Sequence, residues 1–212
     1  MSVVSLSLSE THVFSKKPCS SLNLLVDLGV EGDCHCGETV QHRSRLQIRP
    51  PPKNLRQVHL MDLEILQEFS VEPADLGENV TTRGLGLLQR STGTKLHFLP
   101  PNTSTGSGTG ALDSLLTKHN IAKIEAEADP GNATELETTH PILVLTGLRN
   151  PCPQIQKFRT GLQEKFIVRD EERKIVERKA GVMSVVEVGG VIEIGMRVVV
   201  EEPADFRKLE AV

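Results

Sequence analysis

The stretch Val182-Met183-Ser184-Val185-Val186-Glu187-Val188-Gly189-Gly190-Val191-Ile192-Glu193-Ile194-Gly195-Met196-Arg197-Val198-Val199-Val200-Glu201 decides the fold class. Val182–Val188 and Val191–Ile194 are short β-branched runs, and such side chains suit a pleated, half-buried surface. Gly189-Gly190 between them predicts a two-residue hairpin, because glycine adopts the positive φ that such turns need. Gly195 breaks the chain before Arg197–Glu201, a further strand. Working outward, Val3–Leu8 partly alternates and reads as a half-buried strand, and strands also suit 56–60, 79–82, 94–99 and 142–146. Helices are few. Asp62 is placed to cap one running to about Phe69, with Leu63 and Leu66, and Ile65 and Phe69, at helical spacing and Pro73 as its stop. A second is predicted from about Gln154 to Ile167, with Ile155, Phe158 and Leu162 on one face. Many short strands with glycine turns and few helices predict a mainly β (α+β) fold, a barrel or folded sheet.

The chain of 212 residues suits one domain with a sizeable core. Two segments read as surface insertions within it. One, at about 43–55, holds Arg43, Arg45, Arg49 and the extended run Pro50-Pro51-Pro52. The other, at about 100–140, begins with linker composition and continues through a short helical stretch, Leu112 to Glu127. Hydrophobic residues at 38% and charged residues at 25% are those of a globular protein. A net charge of −4 removes the basic footprint of sequence-independent nucleic-acid binding. With no Trp, no Tyr and six Phe, stacking platforms for single strands are scarce as well. No apolar run approaches the ~20 residues of a membrane helix. Met1–Glu10 lacks the basic and apolar regions of a secretory signal, so a cytoplasmic location is expected. In a reducing compartment the four Cys are thiols, and each is a candidate ligand or nucleophile.

Three clusters can carry chemistry. In Arg149-Asn150-Pro151-Cys152-Pro153, which follows the apolar strand Ile142–Leu145, prolines stiffen both sides of Cys152. Arg149 stands close enough in sequence to stabilise a thiolate, the form that is both nucleophile and metal ligand. A buried core thiol is the alternative, as free Cys often is. Gly29-Val30-Glu31-Gly32-Asp33-Cys34-His35-Cys36-Gly37 makes a tight polar loop. Cys and His bind zinc, but consecutive residues rarely point at one ion and no finger-like second pair exists, so His35 reads as a polar site residue or as part of a glycine-rich turn. In Gly77-Glu78-Asn79-Val80-Thr81-Thr82-Arg83-Gly84, Glu78 and Asn79 can hydrogen-bond a heterocycle edge and Arg83 a phosphate, or the run is a turn with solvated charge. No phosphate-binding glycine signature, no Ser-His-Asp arrangement, and no flavin, haem or iron–sulfur motif is present. His59, His97, His119 and His140 show no usable pattern.

Taken in order along the chain, these clusters resemble one family, the MOSC domain, named for the C-terminal domain of molybdenum cofactor sulfurase. The matching pieces begin with Lys17-Pro18, Gly29-Val30-Glu31-Gly32-Asp33 with His35, and Arg56-Gln57-Val58-His59-Leu60. They continue with Asp75-Leu76-Gly77-Glu78-Asn79-Val80-Thr81-Thr82-Arg83-Gly84, Gly93-Thr94-Lys95-Leu96, Arg149-Asn150-Pro151-Cys152 and Ala180-Gly181-Val182-Met183. The match runs from about residue 2 to 202, leaving out the two insertions. It implies a stand-alone member with a β-barrel and a role with the molybdenum cofactor (molybdopterin).

The matching cysteine, Cys152, would be the ligand to molybdenum in an oxidoreductase of N-hydroxylated compounds, or the carrier of sulfur as a persulfide. Thiolate chemistry suits both. Arg149, Asn150, Glu78, Asn79, Arg83, His35 and Asp33 would bind the cofactor. A small-molecule substrate is implied. So is a separate partner: an electron-donor reductase in the first case, or a sulfur-donor desulfurase in the second, since the chain has no pyridoxal-phosphate desulfurase domain of its own. A link to pyridoxal phosphate binding attaches to the family as a whole. This chain departs from the pattern at Cys34 and Cys36, which flank His35 where an Arg or second His is usual, and at Met196, where Asp is usual.

Overall fold

The computed structural model describes residues 1–42, 45–101 and 140–212. The predicted elaboration at 100–140 therefore lies almost wholly outside the described residues, as do Arg43 and Ser44 of the 43–55 segment.

The strands come in the order β1 (Ser2–Leu8), β2 (Lys17–Cys19), β3 (Ser21–Leu25), β4 (Gly29–Val30), β5 (Val58–Asp62), β6 (Val80–Arg83) and β7 (Lys95–Leu99). Then follow β8 (Ile142–Leu148), β9 (Ile167–Arg169), β10 (Ile175–Arg178), β11 (Val182–Val188), β12 (Gly190–Glu193) and β13 (Arg197–Glu201). Three short α-helices stand among the described residues: α1 (Leu63–Glu68), α2 (Pro153–Phe158) and α3 (Leu162–Lys165). The fold is mainly β, as the composition of the runs predicts.

Seven strands close into a barrel in the order β13-β7-β8-β11-β5-β6-β1, and β1 returns to β13 through Ser2 and Arg197. Closure removes the open edges that a flat sheet of this size would leave unpaired. Within the ring β5 and β6 run parallel, with Leu60 beside Val80 and Asp62 beside Thr82. Parallel neighbours need a crossover, and α1 with the loop after it supplies one. β2 adds to β1 outside the ring, and β12-β3-β4 form a separate three-stranded sheet.

Leu60, Val80, Leu96, Phe98, Leu143, Leu145, Val182 and Val198 belong to the main core cluster. Every residue of β5 is buried, because its other face is covered too. Leu60 joins the main cluster, while its neighbour Met61, pointing to the opposite side of the strand, packs with Leu66, Leu76, Ile155, Leu162 and Phe166 in a second cluster. That second cluster carries α2 and the half-buried Cys152.

Three sequence expectations change. Gly189-Gly190 is no hairpin. β11 pairs with β5 and β8, whereas β12 pairs with β3. The two glycines are where the chain changes sheets: a Cβ on Gly189 would stand 2.7 Å from the Leu24 carbonyl oxygen, and Gly190 has φ +134°. The helix expected over 154–167 is split into α2 and α3 by Arg159, in extended backbone, and Gly161 at φ +81°. Asp62 precedes α1 but does not cap it with its side chain. Its carboxylate instead accepts from Leu87 N at 2.6 Å and Thr82 Oγ1 at 3.1 Å, tying α1's start to β6 and the turn beyond. No helix among the described residues is long and apolar enough to cross a membrane.

Candidate functional site

A cleft of about 380 Å³ opens where β5, the loop after β1, the loop after β4 and the start of α2 meet. Cys152, Arg149, His35 and Asn79 all line it. Asp33 stands directly behind it. Glu78, Arg83 and Asn150 do not line it.

Cys152 takes the position before α2 with extended backbone, φ −91° and ψ 160°, and Pro153 opens the helix. Proline fits there because its fixed φ is helical and its missing N–H is one that a helix start leaves unpaired anyway. The Cys152 carbonyl accepts from Ile155 N at 3.0 Å, and Ile155 is fully buried in the second cluster. The backbone under the thiol is thereby anchored. Arg149 Nη2 lies 3.9 Å from Cys152 Sγ, while Nη1 donates to the Leu76 carbonyl at 2.5 Å. Burial lowers Arg149 from the usual guanidinium range, opposed by the nearby Cys152 and Glu78.

Asp33 is the organiser of the opposite wall. Its Oδ2 accepts from Lys16 Nζ at 2.6 Å, Asn79 Nδ2 at 3.1 Å and Ser9 N at 3.2 Å. Its Oδ1 accepts from His35 N at 3.0 Å and faces His35 Nδ1 at 3.2 Å. Burial pushes this carboxyl upward, but the His35 hydrogen bond and the Lys16 charge outweigh it and hold Asp33 well below the usual carboxylate range. The loop is pinned further by Asn54 Nδ2, which donates to the carbonyls of His35 and Gly37, each at 2.9 Å.

Asn79 reaches the cleft with both ends of its amide already used. Nδ2 donates to Asp33 and to the Ser7 carbonyl, and Oδ1 accepts from His59 N at 3.2 Å. It therefore braces β1, β5 and the Asp33 loop against one another. Glu78 is wholly buried, with Oε1 accepting from Ala74 N at 2.7 Å and Oε2 without a partner among the described residues. Burial pushes its carboxyl up. Arg83 is exposed at the end of β6, and exposed Asn150 accepts from Arg178 Nε at 3.0 Å.

Sequence reasoning passed over the cleft's other polar residues. His59, on β5, donates Nε2–H to the Ala180 carbonyl at 2.9 Å, and burial with Arg149 nearby keeps it well below the usual histidine range. Burial and the Arg56 charge bring His42 down to about 4. Arg56 is brought down to about 10 by burial and by Arg45 and Arg149, and its Nε is buried without a partner among the described residues. His12 and Lys16 complete the wall. These residues are single positions in unrelated runs, and of them only Arg56 and His59 belong to a family-like motif, Arg56-Gln57-Val58-His59-Leu60. The site they define is a thiol in a cationic, histidine-lined cleft on the outside of a closed barrel.

No family model matches the chain, and no curated protein matches it. Among solved structures it is similar to the YuaD protein from Bacillus subtilis, with a TM-score of 0.59 and 18% identity over 95% of this chain and 96% of that one. It is also similar to YiiM from Geobacillus stearothermophilus, with a TM-score of 0.52 and 13% identity over 95% of this chain and 75% of that one. At these identities the likeness is one of fold.

Proposed function

We propose that this chain is a MOSC-type protein that binds the molybdenum cofactor through Cys152 and reduces N-hydroxylated compounds. The observation that carries the reading is the cleft itself: a half-buried thiol 3.9 Å from a buried guanidinium, in a pocket of a size that suits a small organic ligand. The ordered run of motifs and the barrel support it. The fit to an anionic pterin cofactor rests on Arg56. Its buried Nε–H lacks an acceptor among the described residues, and a buried unpaired donor costs about 1–3 kcal/mol unless something accepts from it. A phosphate or dithiolate is such an acceptor, and Arg149 adds a second cation to the same pocket.

In this reading Cys152 and Arg149 hold the metal end, and Arg56 holds the anionic end. His59 and His42, neutral at pH 7, line the same cleft as hydrogen-bonding groups rather than charges. The bound cofactor supplies the two-electron chemistry. Overall, an N–O bond breaks with uptake of two electrons and two protons, and water leaves. The electrons come from a separate reductase.

The test is molybdenum content per chain after gentle purification from cofactor-competent cells, together with N-hydroxy substrate reduction from an artificial electron donor. Stoichiometric molybdenum and turnover are expected, both lost in Cys152→Ser while the fold persists. No molybdenum and no turnover would overturn the proposal. Sulfur added to Cys152 by a desulfurase, without molybdenum, would replace it by a sulfur-carrier role.

A further inference from the structure

We infer that His12, Cys34 and His35 form a second metal site, one that takes a zinc-class divalent ion at the cleft wall facing Cys152. One ring nitrogen of each histidine and the Cys34 sulfur all lie within 4.8 Å of one another. Tetrahedral zinc, with bonds of about 2.0–2.1 Å to nitrogen and 2.3 Å to sulfur, needs ligand atoms about 3.3–3.6 Å apart. Cys34 Sγ and His35 Nδ1 already stand 3.3 Å apart. Adjacent residues seldom converge on one ion, but here the turn at Asp33 folds both side chains to one side. Asp33 Oδ1 accepts from His35 N, and Cys34 N donates to the Ser9 carbonyl at 2.8 Å.

The surroundings of the His12 ring point the same way. Metal-bound histidines as a rule donate their other ring N–H to a carboxylate or a backbone carbonyl, which fixes the tautomer. His12 Nε2 lies 2.9 Å from the Gln41 carbonyl, whereas His35 Nδ1, the nitrogen turned to Cys34 Sγ, exchanges its contact with Asp33 Oδ1 for the ion. A carbonyl only accepts, so neutral His12 carries its proton on Nε2 and leaves the Nδ1 lone pair for an ion. The two rings face each other with centroids 5.3 Å apart. All three residues are half-buried, so an ion can reach them.

Three protein ligands leave a tetrahedral ion one open position, which distinguishes reactive zinc sites from closed structural ones. His12 and His35 line the same cleft as Cys152, so that position opens onto the space where substrate would lie. Two nitrogens and one thiolate select a borderline-soft ion such as zinc over magnesium or calcium, which prefer oxygen ligands. Binding replaces the Cys34 thiol proton, and that proton goes to solvent. The site does not depend on the molybdenum reading, since it uses none of the residues assigned to the metal end of that cofactor.

The test is titration of chelator-stripped full chain with Co²⁺ and Zn²⁺. Cobalt bound to a thiolate gives a near-ultraviolet charge-transfer band together with visible bands of tetrahedral intensity. One equivalent of Co²⁺ should develop both, and one equivalent of Zn²⁺ should erase them. Cys34→Ser should abolish the charge-transfer band. His12→Gln, at a half-buried position that folding tolerates more readily, should weaken Zn²⁺ binding by about 100-fold, at least what loss of a single outer-shell partner costs. Cys152→Ser, Cys19→Ser and Cys36→Ser should each keep the full spectrum. A band that survives in Cys34→Ser, or that disappears in Cys152→Ser, overturns the assignment, as does wild-type protein that develops no cobalt band at all. Loss of molybdenum from Cys152→Ser with an intact cobalt band would leave this site standing and separate it from the cofactor proposal.

Discussion

Replacing Asp33 should cost far more than replacing the lysine it pairs with, although the two share one ion pair. The side chains of Lys16 and Asp33 are 3% and 0% exposed, with 2.6 Å between Nζ and Oδ2. In Asp33→Asn the lysine keeps its charge and loses its counterion. Stranding a buried charge in this way costs about 3–5 kcal/mol. The new amide also turns N–H groups toward Asn79 Nδ2 or His35 N, which are donors themselves.

Lys16→Met leaves a different residue of problems. The Asp33 carboxylate still accepts from Ser9 N, Asn79 Nδ2 and His35 N, so it is solvated by fixed dipoles and the loss should be only about 1–3 kcal/mol. The double variant Lys16→Met/Asp33→Asn removes both charges and should therefore be more stable than Asp33→Asn alone, with a coupling energy of roughly 2–3 kcal/mol. Urea denaturation followed by far-ultraviolet circular dichroism at pH 7 measures all three. In thermal melts each kcal/mol corresponds to about 2–4 °C for a chain of this size. The reasoning is refuted if the two single effects add within about 0.5 kcal/mol, or if Lys16→Met is the more damaging change.

Three other outcomes follow from buried groups around the cleft. Burial raises the Glu78 carboxyl from its ordinary 4.5, so the folded state holds a proton that the unfolded state has lost, and stability should fall as pH rises through the window above 4.5. Glu78→Gln should remove that slope and be the more stable protein at pH 8; chemical denaturation at pH 4, 6 and 8 checks it, and an unchanged slope speaks against a protonated Glu78. His42 shifts in the opposite sense, from 6.5 to about 4, so the unfolded chain takes up a proton first and stability should drop as pH falls through that window. His42→Gln should flatten this part of the curve, and a bound multivalent anion should shrink the drop, because offsetting Arg56 and Arg149 lets folded His42 take up its proton at higher pH. Gly181→Ala would bring a Cβ to 2.5 Å from His59 Nε2 and from the Leu60 carbonyl, at φ +98°. A loss of about 1–3 kcal/mol or more is expected from overpacking alone, readable as a lower urea midpoint, and a neutral result would mean that the backbone entering β11 yields away from the Leu60 carbonyl as well as from the His59 ring.

The strands were legible because each is a local pattern. Arg197–Glu201 and Val182–Val188 announce themselves by β-branched runs and Val3–Leu8 by partial alternation, and the structure begins or ends them within a residue or so. Their partners were not legible in the same way. Gly189-Gly190 has the chemistry of a hairpin turn, but the partner of β12 is β3, from the other end of the chain. What prevails is tertiary packing, since a Cβ on Gly189 would meet the Leu24 carbonyl of that distant strand. The same division runs through the site. Cys152 with Arg149, and Asp33 with His35, are close in sequence and could be found as runs. His12, His42 and His59 are isolated residues that become neighbours only when β1's exit, the β4 loop and β5 meet at one cleft. Asn79 and Glu78 were visible as a polar pair, but their type alone did not reveal that both are turned to internal bonds.

The two walls of the cleft are held by different forces, and that makes their functions separable. The Cys152 wall rests on apolar packing: α2 and the thiol sit on the second cluster, where Ile155, Leu162 and Phe166 are fully or almost fully buried. The His12, Cys34 and His35 wall rests on one carboxylate and the donors gathered around it. Packing is insensitive to pH and salt, while a buried carboxylate hub depends on its charge state. Acid should therefore loosen the histidine wall before it disturbs the thiol wall. A cofactor held by Cys152 and Arg149 would stay anchored at the thiol end under conditions that release an ion from His12, Cys34 and His35. Truncating Phe166 should do the reverse, loosening the support of α2 while Asp33 continues to hold its own loop in place.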